Sequence, residues 1–130
     1  TAWIEGAEGY GLMEKITLKV DKMPSSLSII PGFSASKNLW MQNNRASLLM
    51  MQVWGNSTER LSHLIILLYM NYENKVIPFA KKQYFDLKNI IQKFSINRNE
   101  IKNVDFTILE ADCIGSIYQD TAISEIELYE

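Results

Sequence analysis

Residues 15–20 read Lys15-Ile16-Thr17-Leu18-Lys19-Val20, with Ile16, Leu18 and Val20 on one face and Lys15, Thr17 and Lys19 on the other. An extended chain repeats every two residues, so this alternation predicts a strand with one buried and one wet face. The same period returns at Val104, Phe106 and Ile108, and the chain closes with Ile123-Ser124-Glu125-Ile126-Glu127-Leu128-Tyr129. Between these lie Leu27 to Ile30, closed by Pro31-Gly32, and two apolar runs, Ala46 to Trp54 and Leu64 to Met70, bounded by turn formers and suited to central strands.

Other segments are less clear. Lys75 to Phe79 is expected to return along Leu64 to Met70 across Asn71-Tyr72-Glu73-Asn74, with Pro78 placing it at an edge or bulge. Ser34 to Asn44 is polar and reads as a loop carrying aromatic residues. Leu87, Ile90, Ile91 and Phe94 follow helical spacing, with Asp86 available as a cap, yet residues 83–96 are expected as strand, loop, strand. About eight strand-like segments without a βαβ rhythm predict an all-β fold, an antiparallel jelly-roll sandwich.

The chain has 130 residues, which fits one domain over residues 1–130 burying about two thirds of its unfolded surface. Its 13 basic and 15 acidic residues leave a net charge of −2, so nothing attracts a phosphate backbone and a nucleic-acid partner is not expected. Cys113 is alone, which rules out an intrachain disulfide. The longest apolar run, Leu64 to Met70, is too short for a transmembrane helix. Thr1 in place of a start methionine leads us to expect a chain processed or excised from a larger secreted protein.

Catalysis has little support. His63 is the sole histidine and has no serine-elbow or cysteine motif nearby. Glu5 and Glu14 as an acid/base pair would need a cleft that the sequence does not suggest, so the domain is expected not to be an enzyme. Asn56-Ser57-Thr58 matches a glycosylation sequon, relevant only where the source glycosylates such sites.

The N-terminal stretch from Trp3 to Glu14 carries Gly6, Gly9 and Gly11 among acids and aromatics, a shaped loop that serves equally as connector or site. Trp3, Glu5, Gly6, Gly9, Gly11, Glu14 and Ile16 resemble the W-x-E-G-x-x-G-x-G-x-x-E-x-I opening of the NADase-type glycan-binding domain, a discoidin-like member of the galactose-binding-domain superfamily. Tyr118 to Ile126 is similar to that family's closing Y-x-D-T-x-I-S-E-I, and Asn44-Arg45 fits the element between. Pro31-Gly32-Phe33 stands where the resemblance leads us to expect Asn-Gly-Tyr.

The resemblance implies a galactose-binding-like jelly roll on a secreted or cell-surface bacterial protein, acting as a non-catalytic module. Its expected partner is a glycan or cell-surface carbohydrate, with a fused catalytic or toxin domain alongside. The alternative is a structural or protein-interaction domain that docks such an enzyme or toxin without binding sugar. The candidate ligand-binding residues are Phe33, Lys37, Trp40, Asn44 and Arg45, where aromatic faces meet a pyranose and a guanidinium grips hydroxyls or carboxylates. Arg45 also reads as an interior strut bridging to Glu5 or Asp120, the preferred of its two readings, and Trp40 as a core residue.

In galactose-binding-like folds the termini commonly lie side by side. That gathers Glu5, Glu14, Asp120, Thr121 and Glu125 as candidate ligands for a structural calcium ion, which takes six to eight oxygens. The competing reading pairs Glu14 and Glu125 with basic side chains and lets Asp120 and Thr121 satisfy turn backbone. Trp3 and Trp54 are expected in the core.

Overall fold

The computed structural model describes residues 12–55, 64–113, 115–116 and 121–130, together with the backbone of residues 3–5. Among the described residues eight strands make the fold: β1 (Trp3–Glu5), β2 (Lys15–Lys19), β3 (Ser26–Pro31), β4 (Asn44–Trp54), β5 (Leu64–Tyr69), β6 (Gln83–Asp86), β7 (Asn103–Asp112) and β8 (Thr121–Tyr129). Two short helices, α1 (Lys37–Gln42) and α2 (Lys88–Lys93), interrupt them. Among the described residues, no helix is long and apolar enough to cross a membrane.

The strands form two layers. One runs β2-β7-β4-β5 and the other β1-β8-β3-β6, with antiparallel neighbours in both. They are stitched where Asn44 and Arg45, the first residues of β4, pair in parallel with Thr121 and Ala122 of β8. The expected all-β sandwich is therefore the observed fold. Its core lies between the layers: Leu27 and Ile29 of β3 and Ile123 of β8 meet Leu49, Met51 and Val53 of β4, Ile66 and Leu68 of β5, and Val104, Phe106 and Ile108 of β7. Burial of such side chains stabilises by about 1.5–3 kcal/mol each.

The two ends of the chain are tied together. Backbone pairing of Trp3, Ile4 and Glu5 with Ile123, Ala122 and Thr121 makes the first residues a strand rather than part of a loop. The glycines at 6, 9 and 11, His63, the 56–58 sequon and Tyr118 to Asp120 lie outside the described residues, as do the side chains of Trp3 and Glu5.

Four local expectations are corrected. Residues 34–44 contain a helix, because the Ser36 hydroxyl caps it by accepting the Leu39 N–H at 3.1 Å and Trp40 drives one side inward. Residues 88–93 are helical, as the Leu87, Ile90 and Ile91 spacing allowed, with Asp86 Oδ1 accepting the Lys88 N–H at 2.9 Å; only Gln83–Asp86 is strand. Leu64–Tyr69 pairs with β4 and not with Lys75 to Phe79. Asn74 and Lys75 adopt positive φ (51° and 67°) and close a tight turn between Glu73 and Val76, which ends the return strand before it starts. Trp54 is half-buried, its indole N–H donating to Asp105 Oδ2 at 3.2 Å, rather than a core plug.

Candidate functional site

α1, the start of β4, the end of β7 and residues 76–79 converge on one place. The Asn43 amide donates to Leu39 O at 2.9 Å and stops α1, so the chain turns directly into β4. Arg45 then folds back beneath the helix. Its Nη1 donates to Trp40 O at 2.6 Å and to Asn43 O at 2.9 Å, satisfying carbonyls at the C-terminal end of α1. Arg45 faces Asp112 across the β4–β7 ladder, and Nε lies 3.5 Å from Asp112 Oδ2. The same carboxylate oxygen accepts the Ile77 N–H at 3.4 Å, which anchors the 76–79 segment.

Aromatic packing completes the arrangement. Trp40 is 2% exposed and meets Phe79 edge to face, with ring centroids 5.5 Å apart and planes at 88°. Gly32 fits under this cluster only because it lacks a side chain: a Cβ there would lie 2.5 Å from Arg45 Cγ and 2.8 Å from the Trp40 ring. The element expected to differ from the family at Pro31-Gly32-Phe33 is thus the platform on which Arg45 and Trp40 rest.

These elements enclose a cavity of about 170 Å³. Its buried lining is Trp40, Ile77, Arg45 and Asp112, and its exposed lining is Met41, Val76, Phe79 and Lys37. The character is apolar, with one ion pair set into it. A cavity of this kind selects apolar groups by shape and exclusion of water rather than by hydrogen bonds.

Of the five ligand-binding candidates, the structure gathers Lys37, Trp40 and Arg45 around the cavity, while half-buried Phe33 stands outside its lining. Trp40 presents no open face to a pyranose, and the Arg45 guanidinium is engaged by Asp112 and backbone carbonyls in the manner of an interior strut; the Glu5 side chain and Asp120, the partners expected for it, lie outside the described residues. Asn44 is fully buried, and among the described residues neither its Nδ2 nor its Oδ1 meets a hydrogen-bond partner. Asp112, Met41, Val76, Ile77 and Phe79 carried no sequence signal for this site.

Of the calcium candidates, Glu5 and Thr121 are partners in the β1–β8 register. Glu14 is exposed ahead of β2, its backbone carbonyl accepting from Ile108 N at 3.0 Å, whereas Thr121 and Glu125 belong to β8 in the other layer. Thr121 is buried, and Glu125 lies 3.8 Å from Lys82 Nζ. Among the described residues no group of three His, Cys, Asp or Glu side chains is placed to hold a metal; the Glu5 side chain and Asp120 lie outside them. Desolvation at its sulfur and the neighbouring Asp112 push the Cys113 thiol up, so it stays protonated at neutral pH and is a poor nucleophile.

The NAD glycohydrolase translocation F5/8 type C domain model matches residues 1–129. The chain belongs to that family. Its fold is similar to the NMR structure of the Streptococcus pyogenes NAD+-glycohydrolase translocation domain, with a TM-score of 0.56 at 17% identity over 100% of this chain and 98% of that one. Among curated proteins no match is found. The discoidin-like, NADase-linked family expected from the two terminal motifs is therefore the right one, but its description names translocation rather than glycan binding.

Proposed function

We propose that this domain is a non-catalytic docking module that serves the translocation of an attached NAD glycohydrolase. One observation carries the reading: Trp40, the aromatic best placed to receive a sugar, is sealed against Phe79, and the cavity beside it is apolar. Sugar sites need exposed aromatic faces and unengaged polar groups, whereas protein docking uses apolar pockets with a few charges at the rim. Membership of a family described by translocation supports the same choice over the carbohydrate-binding alternative. Delivery between compartments further fits a domain secreted or displayed at the cell surface.

Deleting residues 1–130 from the parent protein tests this. NAD glycohydrolase activity of the secreted product is expected to persist while its entry into target cells is lost, and a glycan array of the isolated domain is expected to be blank. Entry that continues without the domain, or saturable binding of a defined sugar, refutes the docking role.

A further inference from the structure

We infer that the cavity between α1 and residues 76–79 receives one leucine-sized apolar side chain from an acidic segment of a partner protein. The inference rests on the docking reading for its context and names the chemistry of the partner. Size comes first. About 170 Å³ is well below the several hundred that a drug-sized ligand needs, and close to the roughly 150 Å³ of an apolar cavity that takes up a single benzene. One branched or aromatic side chain fills it.

Met41, Val76 and Phe79 line this cavity while remaining 42%, 38% and 44% exposed, so an inserted side chain would be surrounded by apolar contacts that shed water together. That is the arrangement of an interface anchor and its excluding ring, and methionine adapts readily to different inserts. The walls are already held. Asp112 fixes Ile77, and Arg45 fixes the Trp40 carbonyl, so little ordering cost remains on binding.

Charge then selects the flanks of the insert. Lys37 lines the cavity, and Lys75 is exposed directly before Val76. Among the described residues the acids nearby are already taken: Glu73 pairs with Lys81 at 2.8 Å, and Asp112 with Arg45. The charge that the described residues leave at the rim is therefore positive in a chain whose net charge is −2, and it complements acidic flanks. A bilayer, by contrast, is met by protruding apolar tips rather than by a recess with a buried ion pair.

The test is a methyl-labelled NMR titration of this domain with acetylated, amidated Asp-Glu-Leu-Glu-Asp. Control titrations use the same peptide with Ala for Leu, one with Lys for every acid, and vesicles containing phosphatidylserine. Saturable shifts at Met41, Val76 and Ile77 are expected, at least about five-fold weaker for either control peptide, since a lost anchor or reversed flanks each remove more than about a factor of five. The Val76→Asp variant, altered at a partly exposed position, is expected to keep its melting temperature and lose binding; Lys37→Glu with Lys75→Glu is expected to reverse the charge preference. Equal binding of all three peptides, no shifts up to millimolar peptide, shifts elsewhere, or binding to vesicles alone overturns the inference. Loss of entry on domain deletion together with silent peptides would leave docking standing and this pocket refuted. The opposite pair of results would do the reverse.

Discussion

Arg45 and Asp112 form an ion pair, Nε to Oδ2 at 3.5 Å, with their side chains only 2% and 4% exposed. The two residues are paired in the β4–β7 register, and through them α1 and residue 77 are held to the sheet. An ion pair removed from water is held by its complete set of partners, and loss of one partner strands the other.

Substitution of either member is accordingly expected to be severe. Arg45→Met or Asp112→Leu alone should cost about 3–5 kcal/mol in urea unfolding, and the double substitution distinctly less than the sum of the two. Additive costs would show that the pair does not act as a unit.

Gly32 cannot accept a side chain without displacing its neighbours. Its φ of +80° disfavours any Cβ, and that Cβ would press on Arg45 Cγ and the Trp40 ring. Gly32→Ala should destabilise by more than about 2 kcal/mol, from backbone strain and overpacking together, and should alter the near-ultraviolet signal of Trp40. A variant of native stability would mean that the chain reroutes around the added methyl.

β5 offers a direct contrast between neighbours. Ile65, Leu67 and Tyr69 point outward, whereas Ile66 and Leu68 enter the core. Leu67→Lys is expected to change stability by no more than about 0.5 kcal/mol, while Leu68→Ala should cost about 2–5 kcal/mol. Equal losses would place the strand in another register.

β8 carries a pair of interacting carboxylates. Glu125 and Glu127 share one face with Lys82, whose Nζ lies 3.8 and 3.6 Å from them, and Tyr129 Oη donates to Glu127 at 2.7 Å. The hydrogen bond with Glu127 holds the Glu125 carboxyl above its ordinary value, while hydrogen bonds from Glu125 and Tyr129 hold Glu127 below its own. A raised carboxyl stabilises below the ordinary value of 4.5 and loses that contribution as pH rises through its folded value. A lowered one stabilises above the ordinary value and loses it as pH falls through its folded value. The pair is thus strongest in the mildly acidic window between the two. Melting temperature should decline as pH is raised from that window toward neutrality, and Glu125→Gln, which keeps a donor to Glu127, should abolish the decline. The same slope in both proteins would rule out the shared proton.

Local chemistry was enough for the alternating strands. The period of two at Ile16 and Leu18, and at Val104, Phe106 and Ile108, follows from backbone geometry alone, and each of these side chains faces the core. Where local signals were weak, tertiary contacts won. α1 depends on a serine cap and on the burial of Trp40, and neither produces a repeating pattern in six residues.

By itself, then, the sequence determined the all-β class, the inward face of the main strands and, through the motifs at its two ends, the family. Tertiary structure alone decided the site. β4 shifts register between Ala46 and Leu48 and again between Leu48 and Leu49, so the faces of its first residues do not follow from alternation. Arg45 finds Asp112 only because that register places them opposite each other, and the cavity exists only because Asp112 also draws in residue 77. Such pairings join residues far apart in the chain, and their energies depend on burial and geometry that no local pattern encodes.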